Sequence, residues 1–296
     1  RDLRQSIGTP AGSRCTMPRS IQGAEIRAGS TSKRIEMLPA KRQAMILEHL
    51  RSRGPTPIGE LAAALGGSQS TVRRDLEHLM QKGYLERTHG GAVLVPPLQT
   101  TFESEQSISA QMRRAQKIAI GKAAAAMLNP RESVIFDGST TVLEAVRAAT
   151  SRDIPLTTIT NSLDIAHVCA EVPNWRVVMP GGTIRSGTRF LVGDLGDTFF
   201  KNVHADACFV GALAVTRTIL TDASLEVAAL KRAMLQSARR AVLLVDSSKF
   251  TGPAFCTFAV LADIDEIVTD DGVDPDVLAE LRSQRARVTV VPTAGA

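Results

Sequence analysis

The stretch TPIGELAAALGGSQSTVRRDLEHLM, Thr56 to Met80, reads as two short amphipathic helices joined by a glycine turn. Ile58, Leu61, Ala62 and Leu65 recur at i, i+3, i+4 and i+7, the mark of one buried stripe. Thr56 is expected to cap this helix, with Pro57 at its first position, where a missing N–H costs nothing. Gly66 and Gly67 make the turn. Ser68 or Ser70 then caps a helix whose Val72, Leu76, Leu79 and Met80 repeat the stripe, and Gly83 ends it. Upstream, Ile46, Leu47 and Leu50 share one face of a helix from about Ala40 to Arg53, so the unit is tri-helical. Downstream, Tyr84 to Val95 has β character at both ends with HGG at His89 to Gly91 between them, a hairpin that forms a wing. Pro96 and Pro97 close the unit, and a polar stretch from Gln99 to Gln111 leads onward.

On the wheel of the third helix, Ser70 and Arg74 lie opposite the apolar stripe, with Thr71, Glu77 and His78 beside them and Arg73 on the flank. Such side chains suit a DNA major groove, where Arg bridges two acceptors of guanine. An isolated Arg pair would read as a solvated face; the glycine turn between helices and the hairpin behind them favour DNA. Charge agrees. Residues 1–100 hold fifteen Lys and Arg against eight Asp and Glu, whereas the rest hold twenty against twenty-two, so a polyanion partner is expected for the first third only. Asp75 projects to the core side and is expected to pair with a neighbouring Arg.

From Arg113 the pattern changes. A helix through Ile118 and Ala123 to Leu128 breaks at Asn129-Pro130, and seven apolar runs then follow: VIFD at Val134, LTTIT at Leu156, VVMP at Val177, ACFVG at Ala207, AVLLVD at Ala241, EIVTD at Glu266 and VTVV at Val288. Near-continuous apolar strands alternating with helices imply a mostly parallel sheet covered on both faces. Polar or glycine-rich runs follow several strands: DGSTT at Asp137 to Thr141, TNS at Thr160 to Ser162, PGG at Pro180 to Gly182 and DSSK at Asp246 to Lys249. DGSTT, between strand and helix, offers backbone N–H groups and hydroxyls suited to a phosphate, or else is an ordinary capped turn. Glu226 and Lys231 in EVAALK stand five apart and point about 140° away from each other on one helix, so at least one is expected to reach a site.

The remaining features are excluding ones. Hydrophobic residues make up 44% of the 296 residues, enough for two cores. Cys15, Cys169, Cys208 and Cys256 form no CxxC pair and read as reduced packing residues; the five histidines lack metal-ligand spacing, and no cofactor is expected. No apolar stretch is long enough to span a bilayer and no signal peptide is visible, so a cytoplasmic site of action without membrane partners is expected. Residues 1–36 lack periodicity and read as a disordered leader ahead of a plausible start at Met37, or as a basic arm against DNA backbone.

Arg42, Ile46, Leu50, Ser68 and the run TVRRDL at Thr71 to Leu76 resemble the helix-turn-helix signature of the DeoR family of bacterial repressors, and ERTHGGA at Glu86 to Ala92 resembles its wing. Gly67 departs from that pattern, where an apolar residue is usual. The resemblance implies a DNA-binding element from about Thr56 to Asp75, and with the wing it gives Ser70, Thr71, Arg73, Arg74, His78, Arg87 and His89 as candidate DNA-contacting residues, His89 more as a turn residue than a base reader. Arg113 to Val291 resembles the family's effector domain, a relative of ribose-phosphate isomerase and glucosamine-phosphate deaminase folds that binds phosphorylated sugars. It implies that Asp137, Gly138, Ser139, Thr140 and Thr141 hold a phosphate, and that Asn161, Gly181, Gly182, Glu226, Lys231 and Lys249 line the rest of the pocket. Ser139 stands where the family usually has glycine, and TRTILTD at Thr216 to Asp222 lacks a glycine common there.

The expected architecture is therefore a small winged helix-turn-helix at 37–96, a linker at 97–112 and an α/β, ribose-phosphate-isomerase-like domain at 113–296. The expected function is a DNA-binding repressor of a sugar-metabolism operon, a dimer or tetramer released from a double-stranded operator by a sugar phosphate. Two alternatives stand beside it: an isomerase-like or kinase-like enzyme carrying a DNA-binding head, in which Asp137, Glu226 and Lys231 serve proton transfer, and an activator.

Overall fold

The computed structural model describes residues 37–88, 91–95 and 101–293, apart from the side chain of Asp197. The leader, His89, Pro96 and Pro97 therefore lie outside the described residues. Helix α1, Pro39–Arg53, is followed by β1, Thr56–Pro57, then α2, Ile58–Ala64, and α3, Gln69–Gln81. Strands β2, Leu85–Thr88, and β3, Gly91–Leu94, form the hairpin, and β1 pairs with β3 to make a three-stranded sheet. Thr56 is thus not the cap of α2. Its backbone is opposite Ala92 in the sheet, its hydroxyl donates to the Gly54 carbonyl, and Pro57 takes the capping position. Ser68 caps α3, its Oγ accepting from the Thr71 N–H at 3.2 Å. Gly83, at φ +78°, lets the chain turn so that the Tyr84 N–H reaches back to the Leu79 carbonyl.

Ile46, Leu47, Leu50, Leu61, Val72, Leu76 and Leu79 are almost wholly buried in one core, each worth roughly 1.5–3 kcal/mol of apolar burial. Arg42 on α1 clamps Asp75 on α3 through Nε and Nη2, and Gln43 donates to the same carboxylate, as the core-facing reading of Asp75 anticipates. The stretch after the wing holds a helix, α4, Gln106–Gln111, whose Ile108 is fully buried in this same core.

Next come α5, Arg114–Ala126; β4, Ser133–Phe136; α6, Thr140–Ala149; β5, Leu156–Thr160; α7, Leu163–Ala170; and β6, Trp175–Val178. A short hairpin follows, β7, Thr183–Ile184, and β8, Leu191–Val192, then α8, Asp194–Phe200, and β9, Ala207–Val210. The chain continues through β10, Ala214–Val215; β11, Ile219–Asp222; α9, Leu225–Gln236; β12, Ala241–Leu244; β13, Cys256–Val260; β14, Glu266–Asp270; α10, Pro275–Ser283; and β15, Arg287–Val291.

All seven apolar runs become strands of one parallel sheet, in the order β15-β14-β12-β9-β4-β5-β6. Side chains alternate between its faces. Val134, Phe136, Phe209 and Leu244 share one core with α5 and α6, and Ile135, Cys208, Val210 and Leu243 share the other with α9. The three described cysteines, Cys169, Cys208 and Cys256, are buried and unpaired. From β4 the chain winds outward to β5 and β6, then returns to β9 on the other side of β4 and winds the opposite way. The switch point lies between β4 and β9, and ligands of open parallel sheets collect beyond the carboxyl ends of strands at such a point. The small antiparallel sheet β10-β11-β13 and the β7–β8 hairpin stand outside the main sheet.

Candidate functional site

Two surfaces carry the chemistry. On the head, Ser70, Arg73, Arg74 and Arg87 are exposed and Thr71 is half-buried. Arg73, Arg74 and Arg87 form no ion pair with any described carboxylate, which leaves three guanidiniums open to solvent on α3 and the wing. Ser68 Oγ lies 2.9 Å from both Ser70 Oγ and Thr71 Oγ1, tying the first turn of α3 into a small hydroxyl cluster. His78 is half-buried on the same helix. Its Nε2 faces Glu105 at 3.5 Å, so it meets the segment leading into α4.

The second surface is a cavity of about 360 Å³ at the switch point. Its floor is the loop from β4 into α6. Ser139 caps α6, its Oγ accepting from the Val142 N–H, and presents Thr140 and Thr141 at the helix N-terminus. Asp137 lines the cavity from a buried position. Its carboxylate accepts from the Ser139 N–H and from the Gly211 N–H at 2.7 Å, fastening the ends of β4 and β9 to each other. Gly138 is needed because the Phe190 ring lies over it: a Cβ there would come 2.5 Å from the ring.

Lys231 borders the cavity but is already engaged. Its ammonium donates to Asp222 at 2.8 Å and to the Gly211 carbonyl at 2.9 Å, stands 3.6 Å from Asp137, and lies 5.3 Å from the centre of the Phe258 ring. Burial pulls this ammonium's pKa down, but Asp137 and Asp222, with a smaller push from Glu103, raise it above its ordinary value. Burial raises the Asp137 carboxyl, and Lys231 and the two N–H donors oppose that. Lys231, Asp137 and Asp222 thus form one interlinked triad in the cavity wall.

Other cations also line the cavity, of which Arg185 pairs with Glu103 at 2.7 Å. Lys249, on the 3-10 turn Ser247–Lys249, and Arg185, at the turn of the β7–β8 hairpin, both line the cavity. Lys249 forms no ion pair with a described carboxylate. Lys117 on α5 lies on the same wall, donates to the Ser109 carbonyl, and is pushed by burial down to about 8. Gly138, Ser139, Thr140, Thr141 and Asn161 line the cavity, and Asn161 Oδ1 is buried without a partner. Gly181, Gly182 and Glu226 do not border it. Glu226 is exposed and accepts from Ser224 Oγ at 2.5 Å, and Gly181 and Gly182 lie where the chain turns into β7. Of Glu226 and Lys231, it is the lysine that turns inward. Sequence reasoning missed Lys117, Arg185, Phe190 and the wall made by Thr101 and Glu103 to Gln106; none sits in a motif, and only the fold brings them together. No group of His, Cys, Asp and Glu among the described residues is arranged to hold a metal ion.

The fold defines a winged helix-turn-helix protein with an α/β domain, built round a parallel seven-stranded sheet, behind it. Family models agree with each half: residues 42–97 match the DeoR-like helix-turn-helix domain and residues 112–271 match the DeoR C terminal sensor domain. The HTH-type transcriptional regulator GlpR of Haloferax volcanii is 34% identical over 258 residues, covering 86% of this chain and 98% of that protein. The transcriptional repressor AccR of Agrobacterium fabrum is 34% identical over 233 residues, covering 78% of this chain and 89% of that one. The chain belongs to the DeoR family of transcription regulators. Ribose 5-phosphate isomerase A of Methanocaldococcus jannaschii aligns with 46% of this chain and 53% of its own, at 16% identity and a TM-score of 0.35, a likeness too slight to carry an argument.

Proposed function

We propose that this protein represses a sugar-metabolism operon and leaves its double-stranded operator when a phosphorylated sugar enters the cavity at the β4–β9 switch point. The observation that carries the reading is the floor of that cavity. The α6 N-terminus offers unpaired backbone N–H groups with Ser139, Thr140 and Thr141 beside them, a site that favours phosphate. Lys249 and Arg185 supply positive charge at its wall, and Arg suits phosphate oxygens through two parallel bonds. Asn161, with an unpartnered buried oxygen, is available for a sugar hydroxyl. On the head, Arg74 would read a base and Arg73 a phosphate, with Ser70, Thr71 and Arg87 in support. Two copies of the chain would meet a two-fold operator, as helix-turn-helix dimers do, and the cytoplasm is the compartment where both partners occur.

Turnover is not part of the reading. Lys231 and Asp137, which an isomerase-like mechanism would need for proton transfer, are locked to each other, to Asp222 and to Gly211. No helix among the described residues is long and apolar enough to cross a membrane. The experiment is a thermal-shift panel of pentose and hexose phosphates beside the free sugars, since a ligand that binds only the folded state raises its apparent stability. A shift with one phosphorylated sugar and none with its parent supports the assignment; no shift with any of them removes it.

A further inference from the structure

The segment between wing and α4 faces two ways. Towards the head, the Phe102 ring meets Tyr84 edge-on at 5.1 Å, and the Glu105 N–H donates to the Tyr84 hydroxyl at 2.7 Å. The Glu105 carboxylate pairs with Lys82 at 2.6 Å and faces His78 at 3.5 Å, so it grips the last turn and C-cap of α3. Towards the cavity, Glu103 Oε2 accepts from Arg185 Nη1 at 2.7 Å. Gln106 accepts from the Arg189 N–H at 3.3 Å and donates to Asp164 at 3.4 Å, and Arg189 also pairs with Asp164. Contacts from four residues, Phe102, Glu103, Glu105 and Gln106, thus strap the α3 end of the head to the hairpin that overhangs the cavity.

Within this strap Glu103 is chemically out of place. It puts a carboxylate on the wall of a cavity whose helix terminus, hydroxyls and lysine suit an anion. Its partner Arg185 is the wall residue best shaped for two phosphate oxygens. A ligand phosphate carries more charge than a carboxylate and would repel Glu103 while competing for the same guanidinium. We propose that Glu103 is a built-in stand-in for the ligand's phosphate on Arg185, and that the ligand displaces it, loosening the strap that holds the end of the DNA-reading helix. This rests on the reading of the cavity as a phosphate site. It supplies what that reading lacks, a contact made in the DNA-binding state and lost in the liganded one, without which a ligand shifts nothing.

The test uses the full chain with Glu103→Gln, which keeps the shape and removes the charge, and Glu171→Gln, an exposed carboxylate distant in sequence from the strap, as the control for net charge. Inorganic phosphate is titrated calorimetrically, and binding to DNA from upstream of the protein's own gene is measured without phosphate. A partly exposed ion pair is worth a factor of roughly two to five. The Glu103 variant should therefore bind phosphate at least about twofold tighter than wild type and DNA correspondingly more weakly, with the Glu171 variant unchanged in both. Equal phosphate binding by wild type and both variants, or equal tightening in both variants, overturns the displacement and leaves the cavity reading standing. Failure of wild type and Glu103→Gln alike to bind phosphate overturns the cavity reading, and the displacement with it.

Discussion

Replacing Lys231 by methionine separates a structural lysine from a ligand-contacting one. The ammonium neutralises Asp222 at 2.8 Å and stands 3.6 Å from Asp137, and both carboxylates are at most 4% exposed. Methionine fills similar space and leaves two buried acids facing each other without a cation. Breaking a buried ion pair from one side costs about 3–5 kcal/mol, a large part of the roughly 5–15 kcal/mol that holds a domain together. The loss should depend on pH. Burial already raises the Asp137 carboxyl, and Lys231 is the strongest influence opposing it. In the variant that pKa rises further above its unfolded value, so the acid is more easily protonated folded than unfolded. The deficit is then greatest above the raised Asp137 pKa and shrinks as pH falls through it towards the ordinary carboxylate value. Urea unfolding at pH 7.5 and pH 5.5 measures both, and adding Asp222→Asn should recover part of the loss by removing one stranded charge. A Lys231→Met protein as stable as wild type that has lost its response to sugar phosphate would refute the triad and turn the ammonium towards the ligand.

Lys117→Met should act in the opposite sense. Burial depresses that lysine to about 8, so the folded state holds its proton poorly and the penalty is present at neutral pH, easing as pH rises from about 8 towards the ordinary lysine value. The variant should be more stable than wild type at pH 7, by about 3 kcal/mol at most, with the advantage fading by pH 10 in denaturant melts. Gly121→Ala places a Cβ 2.6 Å from the Glu144 backbone where α5 crosses α6, and should cost about 1–3 kcal/mol; an unchanged melting temperature would contradict so close a crossing. Arg74→Ala should weaken specific DNA by about 1–3 kcal/mol and relax its sequence preference, whereas Arg73→Ala should weaken all sequences alike, as gel shifts with a scrambled control would reveal.

The sequence made the strands legible because strands covered on both faces must be apolar almost throughout, so the seven runs from Val134 to Val288 stand out. Their order was not legible. Periodicity says which side of a strand is buried and nothing about its neighbours, and the switch point that locates the cavity exists only once β9 lies beside β4. Helix α4 escaped notice because six residues with one deeply buried apolar side chain, Ile108, carry no period. Thr56 followed cap chemistry in sequence but is claimed by the wing, whose third strand needs its backbone. DGSTT was legible because strand, turn hydroxyls and helix are contiguous. Arg185 and Glu103 were not, since they stand 82 residues apart in unremarkable contexts. Helix geometry placed Glu226 and Lys231 on different faces, yet could not say which face would meet Asp137.

The central claim is that one ligand site controls one DNA site, and Thr140→Ala tests it without touching the head or the triad. Thr140 opens α6 at the cavity floor. The measurement is operator affinity titrated with the most strongly binding sugar phosphate, for wild type and variant. Wild type should release DNA as the ligand is added, and the same coupling should weaken ligand binding when DNA is present. Thr140→Ala should bind DNA as wild type does and fail to let go except at far higher ligand. Release of the variant at the wild-type concentration would contradict the assignment of the sensing site to the amino end of α6.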